Sequence, residues 1–237
     1  MKQRIWELDA ARGLCVLGMV IIHFIYDLSS LYGLFPMPNN PIYVILKDWG
    51  GILFLLISGI CVTLGKRPVK RGLLVFCCGL VVTAVTVGMY LLGLSGKGII
   101  IYFGVLHCLG VCMMLWPLLN RLPKWALAVL GVSLAAVGLY FMYGLRVDSP
   151  FLFPFGLMRW DFVSSDYFPI LPNLGYFLIG AFLGKTLYAK KESLFPKANT
   201  KNLFIRFFLW WGKMSLPVYL LHQPLIAGMI GLLVFIF

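Results

Sequence analysis

RIWELDAARGLCVLGMVIIHFIYDLSSLYGL, residues 4–34, decides how the rest of the chain is read. After a charged start comes an apolar run of roughly 20 residues, the length at which a helix spans a bilayer. Inside that run sit His23 and Asp27. Hydrocarbon rejects both unless they face protein, a water-filled cavity or each other. Their i,i+4 spacing puts them on one helix face. At about 100° per residue, Arg12, Met19, His23, Asp27 and Ser30 share one stripe running the length of the helix. A purely structural anchor has no need of such a stripe.

The composition sets the class. The chain has 237 residues, is 61% hydrophobic and 12% charged, and its mean hydropathy is +0.94. These values belong to an all-α polytopic membrane bundle rather than a soluble domain. The net charge of +12 would suit a nucleic-acid binder, but its distribution argues against one, because the excess Lys and Arg sits between apolar runs, where it sets topology. The first apolar run is too long for a signal-peptide core and has no small-residue cleavage site after it, so it is expected to remain as a helix. Cys15, Cys61, Cys77, Cys78, Cys108 and Cys112 all lie in apolar runs and read as packing residues, not as a disulfide framework.

Seven spans are expected, at about 12–34, 44–65, 71–94, 99–119, 124–144, 170–188 and 215–237, forming one transmembrane domain over 1–237. Of the 20 Lys and Arg, only Lys47, Lys97, Arg146 and Arg159 fall on the second of the two alternating sides. The positive-inside rule therefore puts the N-terminus in the cytoplasm and the C-terminus outside, as for a multi-pass protein of a bacterial inner membrane. NLFIRFFLWWGKM, before the last span, reads as an interfacial segment with Trp210 and Trp211 in the aromatic belt. The outer segment at about 145–169 is long enough to act as a lid or an acceptor platform.

All three histidines fall inside expected spans. His107 sits in GVLHCLG, where Gly104 and Gly110 would let another helix approach closely. His222 sits in SLPVYLLHQP and shares a face with Ser215 and Tyr219, with Gln223 beside it. A neutral imidazole can take and return a proton, and an adjacent carboxylate fixes its tautomer. The bland alternative for each histidine is an interhelical hydrogen bond. It explains His23 least well, because Asp27 adds roughly 2.5–3.5 kcal/mol of insertion cost to the same face. A metal site at His107, Cys108 and Cys112 is not expected, since no further ligand cluster completes it.

ELDAARG with HFIYDL, then LISG, FGVLHCLG, SDYFPILPNLGYFLIG and WGKMSLPVYLLHQP, in this order, touch six of the seven spans. In these pieces the chain resembles the short bacterial form of the heparan-α-glucosaminide N-acetyltransferase catalytic-domain family, within the wider group of multi-pass membrane acyltransferases. The resemblance implies transfer of an acyl group, acetyl above all, from cytoplasmic acyl-CoA to a glycan or amino-sugar acceptor on the far side, by N- or O-acetylation. Arg12 and Gly13 match the family's basic start of the first helix, and Asp48 an aspartate opening the second. Where family members place a histidine just before that aspartate, the loop FPMPNNPIYVILKD has none and Asn40 stands near the position. The base is then expected at His23.

The expected site comes from these two lines together. His23 is the base or acyl carrier, Asp27 orients it, and His107 joins the catalytic set. Arg12, Lys66, Arg67, Arg71 and Lys213 hold the CoA phosphates. Asp48, Asp166, Tyr167, His222 and Gln223 hold the acceptor. Arg12 to His23 is about 16 Å along a helix, a length an extended pantetheine arm can span. Expected partners are acetyl-CoA or another acyl-CoA as donor substrate, the acceptor and the lipid bilayer, with a homodimer as an option, and neither nucleic acid nor a metal. The rival classes are a proton-coupled transporter or flippase using the intramembrane His and Asp set, and a non-catalytic scaffold or sensor. The absence of an inverted repeat disfavours the first, and the polar stripe has no use in the second.

Overall fold

The computed structural model describes residues 5–236; Lys2 and Arg4, which belong to the basic N-terminal side, lie outside the described residues. Those described fold into eight α-helices: α1 (Trp6–Tyr26), α2 (Pro41–Leu64), α3 (Pro68–Leu91), α4 (Val105–Leu119), α5 (Lys124–Gly144), α6 (Ile170–Leu187), α7 (Leu203–Lys213) and α8 (Ser215–Ile236). Six, namely α1, α2, α3, α5, α6 and α8, are long and apolar enough to cross a membrane, and α4 is a shorter apolar helix. The chain is an all-helical bundle of the multi-pass membrane type.

Helix ends obey local chemistry. Asn40 Oδ1 accepts the Tyr43 N–H at 2.8 Å and caps α2, so the asparagine of the loop before Asp48 serves as a helix cap. Pro68 occupies the first turn of α3, where its missing N–H is not needed. Asn202 caps α7 by accepting the Phe204 N–H at 2.9 Å.

The expected fourth span is the largest departure. It begins at Val105 rather than near residue 99, because the apolar residues before it run in extended form past polar partners. Thr83 Oγ1 donates to Ile101 O at 2.6 Å, the Ile101 N–H is accepted by Thr86 Oγ1 at 3.2 Å, and Ser164 Oγ donates to Ile100 O at 2.9 Å. With its backbone satisfied by side chains, this segment does not need a helix.

The chain divides into two compact units, Met1–Phe54 with Lys190–Phe237, and Leu55–Ala189. In the first, the start of α1 is tied to the segment before α7. Glu7 accepts from Ser193 Oγ at 2.8 Å and from the Leu194 N–H at 2.7 Å, and Trp6 Nε1 donates to Phe195 O at 3.2 Å. α1 then crosses α7 at nearly backbone-to-backbone distance. A β-carbon on Gly13 would collide with Phe208 O, and one on Gly212 with Asp9 O. One glycine on each helix, Gly13 on α1 and Gly212 on α7, allows this approach. The 11 residues of α7 are too few to span a bilayer. Its outer face exposes Leu203, Phe204, Phe207 and Trp210, the pattern expected of an interfacial helix.

In the second unit, α3 packs on α4, α5 on α6, and the later part of α2 on α6. The last crossing is again glycine-dependent: a β-carbon on Gly59 would strike Phe177 O and one on Gly180 would strike Leu56 O. Leu55, Leu127, Phe177, Leu178 and Ala181 are fully enclosed in this core.

Candidate functional site

Asp27 is 1% exposed, yet it stands in an apolar helix. It is accommodated by Gln223 of α8, 196 residues away, whose Nε2 donates to both carboxylate oxygens at 2.8 and 3.0 Å. One turn back on α1, the His23 ring meets the His222 ring edge-on at 4.9 Å between centroids and 77° between planes. Successive residues of α8 thus engage successive turns of α1, and four expected site residues form one patch.

Asp27 opens a single π-helical turn, Asp27–Leu31, in which Tyr32 N–H donates to Asp27 O at 2.9 Å. Such turns carry an extra residue and rotate the side chains beyond them to a new face. Here that rotation breaks the stripe: Asp27 is buried, whereas Ser30, expected on the same face, is exposed. Tyr32 Oη donates to Ala227 O at 2.6 Å, which clamps the π turn to α8 one turn beyond Gln223. Tyr32 is not among the residues expected from the sequence. The i,i+4,i+8 series of Gln223, Ala227 and Gly231 on α8 is the only sequence-level hint of where its partner lies.

The orientation of His23 differs from expectation. Its Nδ1 is 2.9 Å from Met19 O, so the backbone, not Asp27, fixes the ring, and the Asp27 oxygens are engaged by Gln223. A carbonyl can only accept, so Nδ1 carries the proton and Nε2 bears the lone pair. His222 is arranged alike, with Nδ1 2.8 Å from Tyr219 O and 3.2 Å from Val218 O. Asp27 can therefore act on His23 only through its charge.

At the other end of α1, Arg12 pairs with Asp9 one turn before it, and its buried Nε has no hydrogen-bond partner among the described residues. Lys213 comes directly after Gly212, which lies against Asp9, so two of the expected phosphate-binding residues come from helices that touch. Lys66, Arg67 and Arg71 are exposed around the α2–α3 turn in the other unit. Asp48 is exposed on the second turn of α2.

His107, Asp166 and Tyr167 belong to a different arrangement, at the start of α4. His107 is 2% exposed. Its Nδ1 accepts the Gly104 N–H at 3.2 Å, and Nε2 lies 3.4 Å from Thr83 Oγ1. Phe76 and Phe103 flank the ring, each at 5.4 Å. Of the two glycines expected to admit a helix, Gly110 does so, against Phe76 and Gly72, whereas Gly104 is extended and faces Asp166. Asp166 Oδ2 accepts the Val105 N–H at 3.1 Å, a carboxylate at a helix N-terminus, where the dipole favours it. Tyr167 Oη donates to Phe153 O at 2.5 Å. Burial raises its phenol above the ordinary range, against an opposing pull from Arg146. Both nitrogens of His107 thus have partners that hold the entry to α4. His107→Ala is expected to lower stability by about 1–3 kcal/mol, the penalty for buried groups left unpaired, with donor affinity unchanged. Thermal unfolding beside a CoA-binding titration checks this.

No curated protein and no solved structure matches the chain. A family model does: that of the heparan-alpha-glucosaminide N-acetyltransferase catalytic domain, over residues 4–224. The match opens at the residues that build the α1 start and closes at Pro224, immediately after His222 and Gln223. A match over nearly the whole chain, on a bundle of membrane-spanning helices, means that the protein belongs to the heparan-alpha-glucosaminide N-acetyltransferase catalytic family, whose activity is of the membrane acetyltransferase type.

Proposed function

We propose that the chain moves an acyl group, acetyl in the first instance, from acyl-CoA to a hydroxyl or amine of a sugar-like acceptor, with the chemistry at His23. The supporting observation is the patch of His23, Asp27, His222 and Gln223, which gathers two ring-contacting imidazoles and a buried, amide-held carboxylate on facing turns of α1 and α8. The His23 ring is a base toward the acceptor's proton or a carrier of the acyl group. In either role it becomes positive, and the Asp27 charge stabilises that form where the dielectric is low. His107 is not assigned a part in the chemistry.

The donor's phosphates are assigned to Arg12 and Lys213, which the α1–α7 crossing brings onto touching helices. A CoA ester carries too much charge to enter hydrocarbon, so only its thin arm would pass along α1 toward His23, over the about 16 Å that 11 helical residues cover. On the charge asymmetry of the chain, this end is cytoplasmic and the acceptor comes from outside.

Arg12→Ala is expected to weaken CoA binding about tenfold or more, the loss for a charge-assisted hydrogen bond, while Lys97→Ala leaves it unchanged. Calorimetric titration of CoA into the detergent-purified variants checks this, with thermal unfolding as the folding control. Equal and negligible effects would remove Arg12 from the donor site. The proposal as a whole is tested by measuring acceptor-dependent release of CoA thiol from acetyl-CoA.

A further inference from the structure

Elsewhere in the chain, several cations are spent on the protein itself. Lys185 Nζ donates to Asn120 O and Leu122 O at 2.9 and 3.3 Å, Arg146 donates to Met142 O and Leu145 O at 2.7 and 2.9 Å, and Arg159 pairs with Asp161 at 2.9 Å. The run that leads into and through α7 is different. Residues 190–213 hold six Lys and Arg against one acid, Glu192. Lys197, Lys201 and Arg206 are exposed. None of the three side chains makes a hydrogen bond or an ion pair among the described residues.

α7 sets this charge beside an apolar face. At about 100° per residue, Leu203, Phe204, Phe207 and Trp210 fall within an arc of about 120°, and all four are exposed. Phe208 and Gly212, which meet α1, lie outside that arc. Arg206 falls at its edge, about 40° from Trp210. Just before α7, Leu194, Phe195, Pro196, Lys197 and Ala198 line an open hollow of about 450 Å³ whose one charged wall is Lys197. An apolar helix face edged by free cations binds where hydrocarbon meets negative charge. Zwitterionic lipid suits the face but brings no net charge to the cations. A free phosphate suits the cations but leaves the face and the hollow bare. Anionic phospholipid meets all three.

We infer that the outer face of α7 and the segment leading to it form a binding surface for anionic phospholipid, with Lys197, Lys201 and Arg206 on the headgroups and the apolar face among the upper acyl carbons. α7 is locked to α1 where Gly13 meets Phe208 O and Gly212 meets Asp9 O. Lipid on this surface therefore holds the α1–α7 pair in its folded form. None of these lipid-facing residues is assigned to acyl transfer, so the surface stands whether or not that reading does.

The test titrates the full chain in detergent with phosphatidylglycerol, phosphatidylcholine or soluble glycerophosphate and follows thermal unfolding. Phosphatidylglycerol is expected to raise the melting temperature saturably, since a ligand of the folded state stabilises it, and the other two are not. Lys197→Gln, Lys201→Gln and Arg206→Gln together are expected to weaken the apparent affinity for phosphatidylglycerol about 10²-fold, from about fivefold per cation at a membrane surface. A control removes equal charge from the other unit. Lys70→Gln, Arg121→Gln and Lys124→Gln, at exposed positions, are expected to leave that affinity near the wild-type value. Equal stabilisation by phosphatidylglycerol and phosphatidylcholine overturns the inference. So does a response to glycerophosphate that matches the lipid's, which would make the ligand a free phosphate. An equal loss in the control also overturns it, because net charge rather than α7 would then draw the lipid. If the triple α7 variant fails to fold, Arg206→Gln alone is expected to lose about fivefold, and wild-type affinity in that variant overturns the inference.

Discussion

His23→Ala is expected to lower acetyl transfer by about 10²–10⁴-fold, the usual loss when a positioned base is removed, without unfolding the protein or weakening CoA binding. The ring makes one hydrogen bond, to the carbonyl of Met19 in its own helix, and one edge contact, to His222. Truncating it strands no buried partner, so stability has little reason to change. Asp27→Asn separates charge from shape. Gln223 can turn its amide over and meet an asparagine as readily as a carboxylate, so the patch keeps its shape and loses its charge. A transfer rate that falls while the melting temperature holds would show that charge is what Asp27 supplies. If His23→Ala retains near-normal transfer, the reacting group is elsewhere.

The second large effect is expected at the α1–α7 crossing. Gly13→Leu and Gly212→Leu should each destabilise by roughly 3 kcal/mol, the upper end of the range for overpacking. Here the obstacle is a backbone carbonyl, Phe208 O or Asp9 O, rather than the yielding end of a side chain. The helices would have to separate, taking Arg12 and Lys213 with them, so donor binding should fall as well. Gly18 lies on the same helix with nothing within 4 Å of its β-carbon position. Gly18→Ala should therefore be neutral or slightly stabilising, since Ala is the better helix former by about 1 kcal/mol. Unfolding of the three variants in a common detergent checks the contrast.

Much of this was legible in the sequence because membrane helices obey few rules. Lys124–Gly144 lies between Pro123 and an extended Leu145, and its limits coincide with those read from the sequence. The fourth span misled because hydropathy does not see hydroxyls from elsewhere in the chain. Thr83, Thr86 and Ser164 satisfy a backbone that otherwise scores as helix. His23 and Asp27 stand out in an apolar run, as do His222 and Gln223 in theirs, since desolvation makes such residues rare without a purpose. Their pairing was not legible. A contact across 196 residues leaves no local pattern, and the π turn that begins at Asp27 has no propensity signature in DLSSL. ELDAARG shows the opposite case. Its charges look like a binding motif, yet Glu7 and Asp9 are engaged in holding the segment before α7 and the Arg12 guanidinium.

The central claim is that this patch transfers acyl groups, and release of free thiol from acetyl-CoA by the purified protein in nanodiscs tests it most directly. The expected result is thiol release that depends on an added amino-sugar acceptor, matched one for one by acetylated product, and abolished in His23→Ala. No release with any acceptor, together with proton-coupled uptake of the same acceptor into liposomes that depends on Asp27, would contradict it.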